Sequence, residues 1–495
     1  MSLIYILFLL SITLLNRSLI SYAKPLILIS SILLVIPTLS DWNEIGIYYT
    51  SDGIADIFIL LTAYLLPLSI IANWNNIKNI LYFELVLTLG AILLINFMCQ
   101  DMLSFYVYFE ASLAPLFILI GLYGANNRDK ASDYILIYTL FSSLFMLLAI
   151  GTYEVLIGNT DYQSISLVVL NTDLQCILFI CLSIGIMVKT PLVPVHTWLP
   201  VVHSESPLAG SMLLAGVILK LAIYAIIRLI LPSLSDATVL YTPVAYLICV
   251  ITIIYTSLIT LRQSDLKVIV AYSSISHMAV CILGILSNNI FGINGSLIMS
   301  IAHGFVSPAL FIIVGGILYD RYHNRLIYYY QGLLTYMPIL SIYLLILSFS
   351  NIGTPLTVNF IGELFSLTGA IQRSTIIGII SSLSVLLSAA YMLKVTNRLT
   401  GGIKTPYISL TSDCTYRENI LMLSLIIPTI WYGLFPNGII NMIWQSTRLL
   451  YIFIIGKLND NRLMVDPGTS NATVRVRFTF IISSCFQLVL RIYCK

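Results

Sequence analysis

Charged residues are scarce in this sequence: Asp, Glu, Lys and Arg make up only 9% of its 495 residues. A water-soluble protein of this length needs a surface much richer in charge, so the composition excludes that class. The net charge of +3 is small, and no basic run with interleaved aromatic residues occurs. No nucleic-acid partner is therefore expected.

Paired cysteines are also absent. The eight cysteines are scattered, without a Cys-x-x-Cys pair or a Cys/His cluster at metal-ligand spacing, and we expect them to be apolar filler. Patterns for binding haem, iron–sulfur clusters, zinc, flavin or NADH are missing, so no cofactor is expected on this chain. A charged leader with a cleavage site is missing too, and Leu3–Leu15 is predicted to belong to a retained first helix.

Long apolar runs, by contrast, are abundant. Hydrophobic residues make up 59% of the chain. Runs of about 18 or more residues recur, each long enough to cross a hydrocarbon core of about 30 Å as a helix. They lack the alternation of a transmembrane β-barrel. The sequence therefore predicts an all-α polytopic membrane protein of about 14 transmembrane helices, the last centred near residue 430.

One membrane domain is predicted over residues 1–445, because no Ser/Gly-rich linker interrupts it. Residues 446–495 form an atypical polar and basic tail, which is expected either to lie along the membrane surface or to be disordered. Lys and Arg of the predicted loops collect on one side of the membrane, and acids such as Asp161 and Asp173 on the other. This asymmetry places the acidic side and both termini on the intermembrane side if the membrane is mitochondrial.

Four charged residues fall inside predicted spans: Glu110, Lys189, Lys220 and Glu363. Burying a charge in a membrane costs at least about 2.5–3.5 kcal/mol, so such residues indicate ion handling. A structural ion pair, or a side chain that snorkels to the interface, is the alternative for each of them. Glu84 lies nearer the start of its span and is a further candidate for proton uptake.

Three histidines, His196, His277 and His303, fall within or beside predicted spans. A buried histidine is more often a packing residue than a proton carrier, but these three are interleaved with the lysines and glutamates. Histidine titrates near neutral pH and passes protons through either ring nitrogen, so they are candidates for a supporting proton relay. His203 lies in a short turn, and only His323 looks like an ordinary loop residue.

The sequence Thr-Pro-Leu occurs twice, at residues 190–192 and 354–356, and interrupts a predicted span each time. A proline inside a helix leaves backbone groups without partners, which a membrane tolerates only beside protein or a wet cavity. Such paired breaks are typical of transporters built from inverted repeats, with chance recurrence as the alternative.

Lys189 directly precedes the first break, which would provide a polar pocket for it. Burial favours the neutral amine, and a nearby carboxylate favours the charged one. With Glu110 about 4 Å away, the attraction amounts to about 4 kcal/mol at an effective dielectric constant of about 20. Movement of Glu110 toward or away from Lys189 would then load or release a proton.

Four stretches carry a resemblance to a known family: VKTPLVPVHTWLPVVHSESPLAGSMLLAGVILKLAIYAIIR, LRQSDLKVIVAYSSISHMAVCILGIL, IAHGFVSPALFIIVGGILYDR and NFIGELF. From roughly residue 52 to residue 435, the chain resembles the antiporter-like subunits of respiratory complex I, the proton-pumping NADH:ubiquinone oxidoreductase of mitochondria. The resemblance implies about fourteen transmembrane helices, with broken helices and two inverted five-helix repeats.

The resemblance also implies roles for the site residues. It assigns proton translocation to Glu110, Lys189, Lys220 and Glu363, and it places the three relay histidines on a central hydrophilic axis. A glutamate at position 363 is characteristic of one member of the family, whose relatives more often carry lysine there.

The implied function is that of a proton-translocating membrane-arm subunit of the respiratory chain, located in the mitochondrial inner membrane. NADH, FMN, iron–sulfur clusters and ubiquinone would be bound by other subunits. The implied partners are the other membrane-arm subunits, including neighbouring antiporter-like subunits, and membrane lipids. Asp265 and Lys267 match a family loop motif and are interpreted as an interface or helix-positioning pair.

Two alternatives to this function remain open. One is a subunit of a multisubunit Na⁺/H⁺ antiporter, which shares the architecture. The other is a membrane scaffold that transports nothing and whose buried charges only pack.

Overall fold

The computed structural model describes residues 20–33, 53–74, 79–168, 170–407, 409 and 411–464. The predicted first helix, Leu3–Leu15, and the tail from residue 465 onward lie outside the described residues. The chain divides into two units between Tyr451 and Ile452. The architecture below is that of the first unit. Of the second, only the helical residues up to Met464 are described.

Helices make up nearly all the regular structure of the described residues, which confirms the all-α class. Two isolated bridges are the only β-contacts there. Among the described residues, eleven helices are long and apolar enough to cross a membrane, as expected for a polytopic protein. In chain order, the helices are α1 (Ile20–Leu33), α2 (Gly53–Ala72), α3 (Ile80–Met98), α4 (Met102–Tyr123), α5 (Arg128–Ile157), α6 (Tyr162–Leu167), α7 (Thr172–Lys189), α8 (Trp198–Glu205), α9 (Leu208–Ser233), α10 (Ser235–Arg262), α11 (Leu266–Leu286), α12 (Ile290–Tyr322), α13 (Pro338–Ile352), α14 (Val358–Arg373), α15 (Thr375–Thr400), α16 (Tyr416–Leu434) and α17 (Asn437–Met464), with short turns at Ile327–Tyr329 and Leu333–Tyr336.

The centre of the first unit is formed by α9, α11 and α12, which are buried along almost their whole length. These helices are apolar around their full circumference, as expected for helices surrounded by protein. Around them, α5, α10 and α15 expose large apolar side chains such as Phe141, Leu247 and Ile379. Polar groups on the three central helices are thereby shielded from lipid and from water.

The first predicted break lies between α7 and α8 and confirms a broken helix at this place. The helix α7 ends at Lys189, and α8 begins at Trp198. Carbonyl groups freed at the end of α7 find new partners. The indole Nε1 of Trp198 donates a 2.9 Å hydrogen bond to the carbonyl of Val188, and the backbone N–H of Leu192 donates a 3.0 Å bond to Met187.

The second predicted break lies between α13 and α14 and is also confirmed. The helix α13 ends at Ile352, and α14 begins at Val358. Gly353 ends α13 with a φ of 79°, in the left-handed region that favours glycine. Glu363 follows in the second turn of α14, close to the break.

Two central helices contain π-turns that the sequence does not indicate. They lie at Leu214–Ile218 and Ile226–Ile230 in α9 and at Ile312–Leu318 in α12. A π-turn widens the helix and loosens its regular hydrogen-bond ladder. The carbonyl of Ala215, in the first of them, accepts a hydrogen bond from the side chain of Lys220.

The helix α17 runs across residue 445, at which the sequence predicts the end of the membrane domain. Its segment Asn437–Lys457 is one of the eleven helices able to cross a membrane, and the sequence predicts no span there. The predicted last span, near residue 430, coincides with α16. The domain boundary stays a prediction.

A loop before α16 connects three helix ends. Arg321, in the last turn of α12, pairs with Glu418 in the first turn of α16. Its Nη2 and Nη1 atoms lie 2.7 and 3.1 Å from the two carboxylate oxygens. Asp413 accepts hydrogen bonds from the backbone N–H groups of Ile339 and Leu340 at 2.8 and 3.3 Å, which caps the start of α13.

Candidate functional site

Lys220 lies in the middle of α9, is fully buried, and contacts a histidine on the neighbouring central helix. Its Nζ lies 2.8 Å from Nδ1 of His303 on α12. Its second partner is the Ala215 carbonyl in the π-turn. An amine and an imidazole within hydrogen-bond distance of each other can exchange a proton.

His277 on α11 and Glu363 on α14 form a second contact. Nδ1 of His277 lies 3.2 Å from Oε1 of Glu363, and Nε2 lies 3.1 Å from the amide oxygen of Asn351 at the end of α13. The two side chains are only 3% and 4% exposed, so a proton can pass between them without exchange with bulk water. Asn351 fixes the orientation of the imidazole.

The rings of His303 and His277 lie next to each other between these two contacts. Their centroids are 5.9 Å apart, with an angle of 57° between the ring planes. Nε2 of His303 is buried and has no hydrogen-bond partner among the described residues. Lys220, His303, His277 and Glu363 thus follow one another on four different helices, and we call these four side chains the central row.

Glycine residues make room for Glu363 on both sides. At Gly362, a Cβ atom would lie 2.6 Å from the backbone nitrogen of Met299, so only glycine allows α14 to approach α12 so closely. At Gly353, a Cβ atom would lie 2.5 Å from Oε2 of Glu363 itself. The glycine at the second break therefore leaves the space that the carboxylate occupies.

Lys189 and Glu110 form a separate group. The ammonium group of Lys189, at 1% exposure, lies 3.6 Å from the centroid of the Phe109 ring and donates a 3.4 Å hydrogen bond to the Phe109 carbonyl. Glu110 attracts Lys189 electrostatically. No direct ion pair joins the two among the described residues, and Oε1 of Glu110 is buried there without a hydrogen-bond partner. The predicted pair requires the carboxylate to move.

His196 lies in the first break and packs between two tyrosines. Its ring is 5.7 Å from that of Tyr255 and 6.1 Å from that of Tyr272. It is 4% exposed, and its Nδ1 has no hydrogen-bond partner in the described part of the chain. The structure therefore places His196 beside the break but brings it into hydrogen-bond contact with neither lysine.

His203 is a buried histidine that the sequence does not assign to the site. It is fully buried at the end of α8 and stacks on Phe311 at 4.6 Å. Neither of its ring nitrogens has a partner among the described residues. It experiences the charges of Lys220 and Lys267. The sequence places His203 in a short turn, and only the packing of the helices reveals that this turn is buried.

Asp265 and Lys267 hold helix ends together, in agreement with the predicted positioning role. Asp265 caps α11 by accepting a 2.9 Å hydrogen bond from the backbone of Lys267, and it lies 3.4 Å from Arg325. The side chain of Lys267 donates a 3.0 Å bond to the carbonyl of Ser206, directly after α8. Arg325 also contacts Glu205 at 3.4 Å.

The predicted site residues thus fall into two groups. Four of them make up the central row, whereas Glu110, Lys189 and His196 lie apart from it around the first break. No hydrogen bond joins Lys189 to Lys220 within the described ranges. Glu84 on α3 is buried at 7% exposure and is not hydrogen-bonded to either group.

The chain matches a family model described as "NADH:quinone oxidoreductase/Mrp antiporter, TM" over residues 99–388. It is 84% identical to NADH-ubiquinone oxidoreductase chain 4 of Candida albicans, over 93% of this chain and 99% of that protein. The protein of the same name from Debaryomyces hansenii is 68% identical, over 88% of this chain and 93% of that protein.

Solved structures agree with this similarity. A chain of respiratory complex I from Thermus thermophilus with bound NADH matches with a TM-score of 0.82 and 25% identity, over 92% of this chain and 100% of that chain. A chain of the Mrp complex from Dietzia shares the fold, with a TM-score of 0.79 at 16% identity over 91% of this chain and 96% of that chain.

Proposed function

Because the chain belongs to the NADH-ubiquinone oxidoreductase chain 4 family, the antiporter-like subunits of the membrane arm of respiratory complex I, we propose that its central row carries protons across the membrane. The chain is a multi-pass subunit of NADH:ubiquinone oxidoreductase in the mitochondrial inner membrane. In the proposal, NADH oxidation and ubiquinone reduction on other subunits drive proton transfer through Glu110, Lys189 and the central row.

The observation that carries this proposal is the continuity of the central row. Lys220 contacts His303, His277 contacts Glu363, and the two imidazoles lie side by side between these contacts. All four residues can bind and release protons, and one bridging water would join the two rings. A scaffold would not need four titratable side chains in sequence on four helices.

The proton moves along the row in three transfers. The ammonium group of Lys220 gives a proton to Nδ1 of His303, which is the nitrogen that faces it. Nε2 of His303 then passes a proton toward His277, and Nδ1 of His277 delivers one to Oε1 of Glu363. His303 accepts a proton on Nδ1 and releases one from Nε2. His277 accepts and releases a proton on Nδ1, because its Nε2 donates a hydrogen bond to Asn351, and no bond other than N–H and O–H is made or broken.

Lys189 and Glu110 act before the row. When the carboxylate of Glu110 approaches, it stabilises the charged lysine, and when it withdraws, burial favours the neutral amine and a proton is released. Glu110 interacts with Ser143. Its Oε1 has no hydrogen-bond partner among the described residues, so no fixed pair with Lys189 has to break before the carboxylate moves. His196, beside the break, supports the exchange of protons in this group.

The finer architecture is part of the proposal. Ten of the long helices precede α16. The proposal of about fourteen transmembrane helices adds four more to them. These are the predicted Leu3–Leu15, α1, the interrupted pair α13–α14 counted as one, and α16. The two Thr-Pro-Leu breaks relate two inverted five-helix repeats. Residues 1–445 form the antiporter-like domain in this proposal, and residues 446–495 form a separate tail.

Cofactors and partners follow from the family. No cofactor is bound by this chain, and NADH, FMN, iron–sulfur clusters and ubiquinone are bound by other subunits. In the part of the chain that the structure describes, no cluster of His, Cys, Asp and Glu could hold a metal ion. The chain contacts neighbouring antiporter-like subunits and membrane lipids, and it binds no nucleic acid.

Substitution of Lys220 by Met in the assembled complex tests the proposal. Met keeps the length of the side chain and removes its proton-carrying group, so NADH-driven proton uptake by sealed inner-membrane vesicles should fall sharply while the complex still assembles. Lys189→Met and Glu363→Gln should behave likewise, and Glu110→Asp should be partly tolerated because the carboxylate remains. The matched control is Lys130→Met, an exposed lysine at the start of α5, which should leave pumping unchanged.

The alternatives make opposite predictions for the same variants. A scaffold with inert buried charges would pump normally after Lys220→Met, provided that the complex assembles. A Na⁺/H⁺ antiporter would exchange sodium for protons in the absence of NADH. Either result would overturn the proposed function.

A further inference from the structure

A compact group of aromatic side chains lies between the two lysines and the acidic end of the surrounding helices. We call this group the aromatic plug. Its rings come from α2, α3, α4 and α9, so no single segment of the sequence displays it. All its members are between 0% and 2% exposed. The members are Phe58, Phe97, Phe105, Phe109 and Tyr224.

The rings of the plug form one continuous cluster. Phe97 stacks on Phe58 at 5.3 Å and meets Tyr224 edge-on at 5.4 Å. Tyr224 lies 5.9 Å from Phe105, which lies 5.7 Å from Phe109. The hydroxyl group of Tyr224 donates a 3.2 Å hydrogen bond to the Phe97 carbonyl and is thereby occupied. The other four rings of the plug carry no polar group, so water finds few hydrogen-bond partners within this layer.

The outer end of the plug is polar. Asp101 caps the start of α4, one helical turn before Phe105. Arg228 lies one turn beyond Tyr224 on α9, and its guanidinium carbon is 5.5 Å from the centre of that ring. Tyr162, whose hydroxyl is buried, interacts electrostatically with both Asp101 and Arg228. This end of the plug lies next to the acidic loops, including Asp161, that the sequence assigns to the intermembrane side.

The inner end of the plug meets both lysines. The ammonium group of Lys189 lies over the ring of Phe109 at 3.6 Å. Lys220 precedes Tyr224 by four residues on α9, which is about one helical turn. Along α9 the order is therefore Lys220, plug, Arg228, from the centre of the membrane outward.

We propose that the aromatic plug is a proton seal, which separates Lys189 and Lys220 from the intermembrane side and leaves Glu363 as the way out. This inference rests on the proposed function, in which the two lysines carry protons. A dry apolar constriction excludes water and with it the proton.

A seal at this place has a clear purpose. The proton gradient drives protons from the intermembrane side back across the membrane. A water chain from that side to Lys220 would let them cross without being coupled to any other process, and the gradient would be lost. Glu363 lies at the far end of the central row, on α14, away from the plug helices. Protons that arrive at Lys220 can then only move along the row.

The test uses Phe97→Asn in the complete complex, reconstituted into liposomes. Passive proton flow is measured with a pH-sensitive dye under an imposed potassium diffusion potential, in the absence of NADH. A polar side chain in the plug should admit water, and a barrier lowered by about 1.4 kcal/mol raises the leak roughly tenfold. Phe97→Leu, which keeps the layer apolar, should stay tight. So should Phe141→Asn, a control on α5 whose ring is 62% exposed.

The outcomes decide between the possibilities. A Phe97→Asn complex as tight as the wild type overturns the seal. A leak that persists when Lys189 and Lys220 are also replaced by Met overturns it too, because those protons pass neither lysine. If Phe97→Asn does not assemble, Phe97→Ala is measured in the same way, since it opens space for water without burying an unpaired amide. Failure of the proposed function is distinct: it appears as normal pumping in the single variant Lys220→Met.

Discussion

Gly353→Ala adds one methyl group at the second break and acts directly on the end of the central row. The new Cβ atom would lie 2.5 Å from Oε2 of Glu363. Non-bonded heavy atoms settle at about 3.5 Å, so the carboxylate has to retreat by about 1 Å. The variant therefore displaces the proton acceptor without changing any titratable residue.

The displacement is large compared with the contact that it affects. Nδ1 of His277 lies 3.2 Å from Oε1 of Glu363, at the upper end of the hydrogen-bond range, so a shift of the carboxylate by about 1 Å alters that contact. Misplacement of a reacting group by about 1 Å lowers a rate by about 100-fold. We therefore expect the Gly353→Ala complex to pump protons at least about tenfold more slowly than the wild type, which is a cautious figure beside the loss of about 100-fold.

The left-handed backbone at this position has to be controlled for. Alanine at a φ of 79° costs about 1–2 kcal/mol whatever its neighbours are. Gly158 ends α5 with a φ of 75°, and a Cβ atom added there would meet no other atoms within 4 Å. Gly158→Ala thus carries the same backbone strain without touching the site.

NADH-driven proton uptake by inner-membrane vesicles, normalised to the amount of assembled complex, compares the two variants. Gly353→Ala should pump slowly, and Gly158→Ala should pump at the wild-type rate. Equal pumping by both variants would refute the role of the contact between His277 and Glu363.

Three further changes test how the helix ends are held, each by hydrogen–deuterium exchange of the assembled complex. Trp198→Phe removes the hydrogen bond to Val188 at the first break, at a cost of about 1 kcal/mol, and backbone exchange at the end of α7 should accelerate about fivefold; unchanged exchange would contradict that role of the indole. Asp413→Ala removes the cap of α13 at a similar cost of about 1 kcal/mol, so exchange should rise at the start of α13 and nowhere else. Glu418→Gln weakens the two-point pair with Arg321 by about 1.5–3 kcal/mol and should accelerate exchange at the end of α12 and the start of α16, whereas an effect at only one of the two ends would count against the pair.

The fold was predictable from the sequence wherever the residues of a single segment determine the structure of that segment. Long apolar runs fix membrane-crossing helices, and Thr-Pro-Leu fixes the two breaks, because proline cannot complete the helical ladder. The π-turns were not predictable, since no residue in Leu214–Ile218 marks them. They arise where a buried polar side chain competes for a backbone carbonyl, as Lys220 does at Ala215.

The sequence identified which residues are candidates for the site. It did not show which of them contact one another. A charge inside an apolar run is visible in sequence, which identified Lys220 and Glu363. The contact between His277 and Glu363 joins α11 and α14, which are far apart in the sequence, and it depends on how the helices pack. The burial of His203 was not predicted, because the residues that follow it in the sequence are polar. The packed helices nevertheless bury these residues together with His203.

The same limit applies to the aromatic plug. Its five rings belong to aromatic residues on four different helices. From the sequence alone, each of them would be interpreted as an ordinary residue of the apolar core. Only the positions of these helices relative to Lys189 and Lys220 give the rings a place between the lysines and one end of the bundle.

A change in the protonation of Glu363 during turnover is the most direct test of the central row. Infrared difference spectroscopy of the complex, recorded between resting and NADH-driven states, detects a buried carboxylic acid through its C=O stretching band. We predict a carboxyl band that forms on turnover in the wild type and is absent from the Glu363→Gln variant. A spectrum without such a band, or one in which Glu363→Gln leaves the band unchanged, would contradict proton transfer through Glu363.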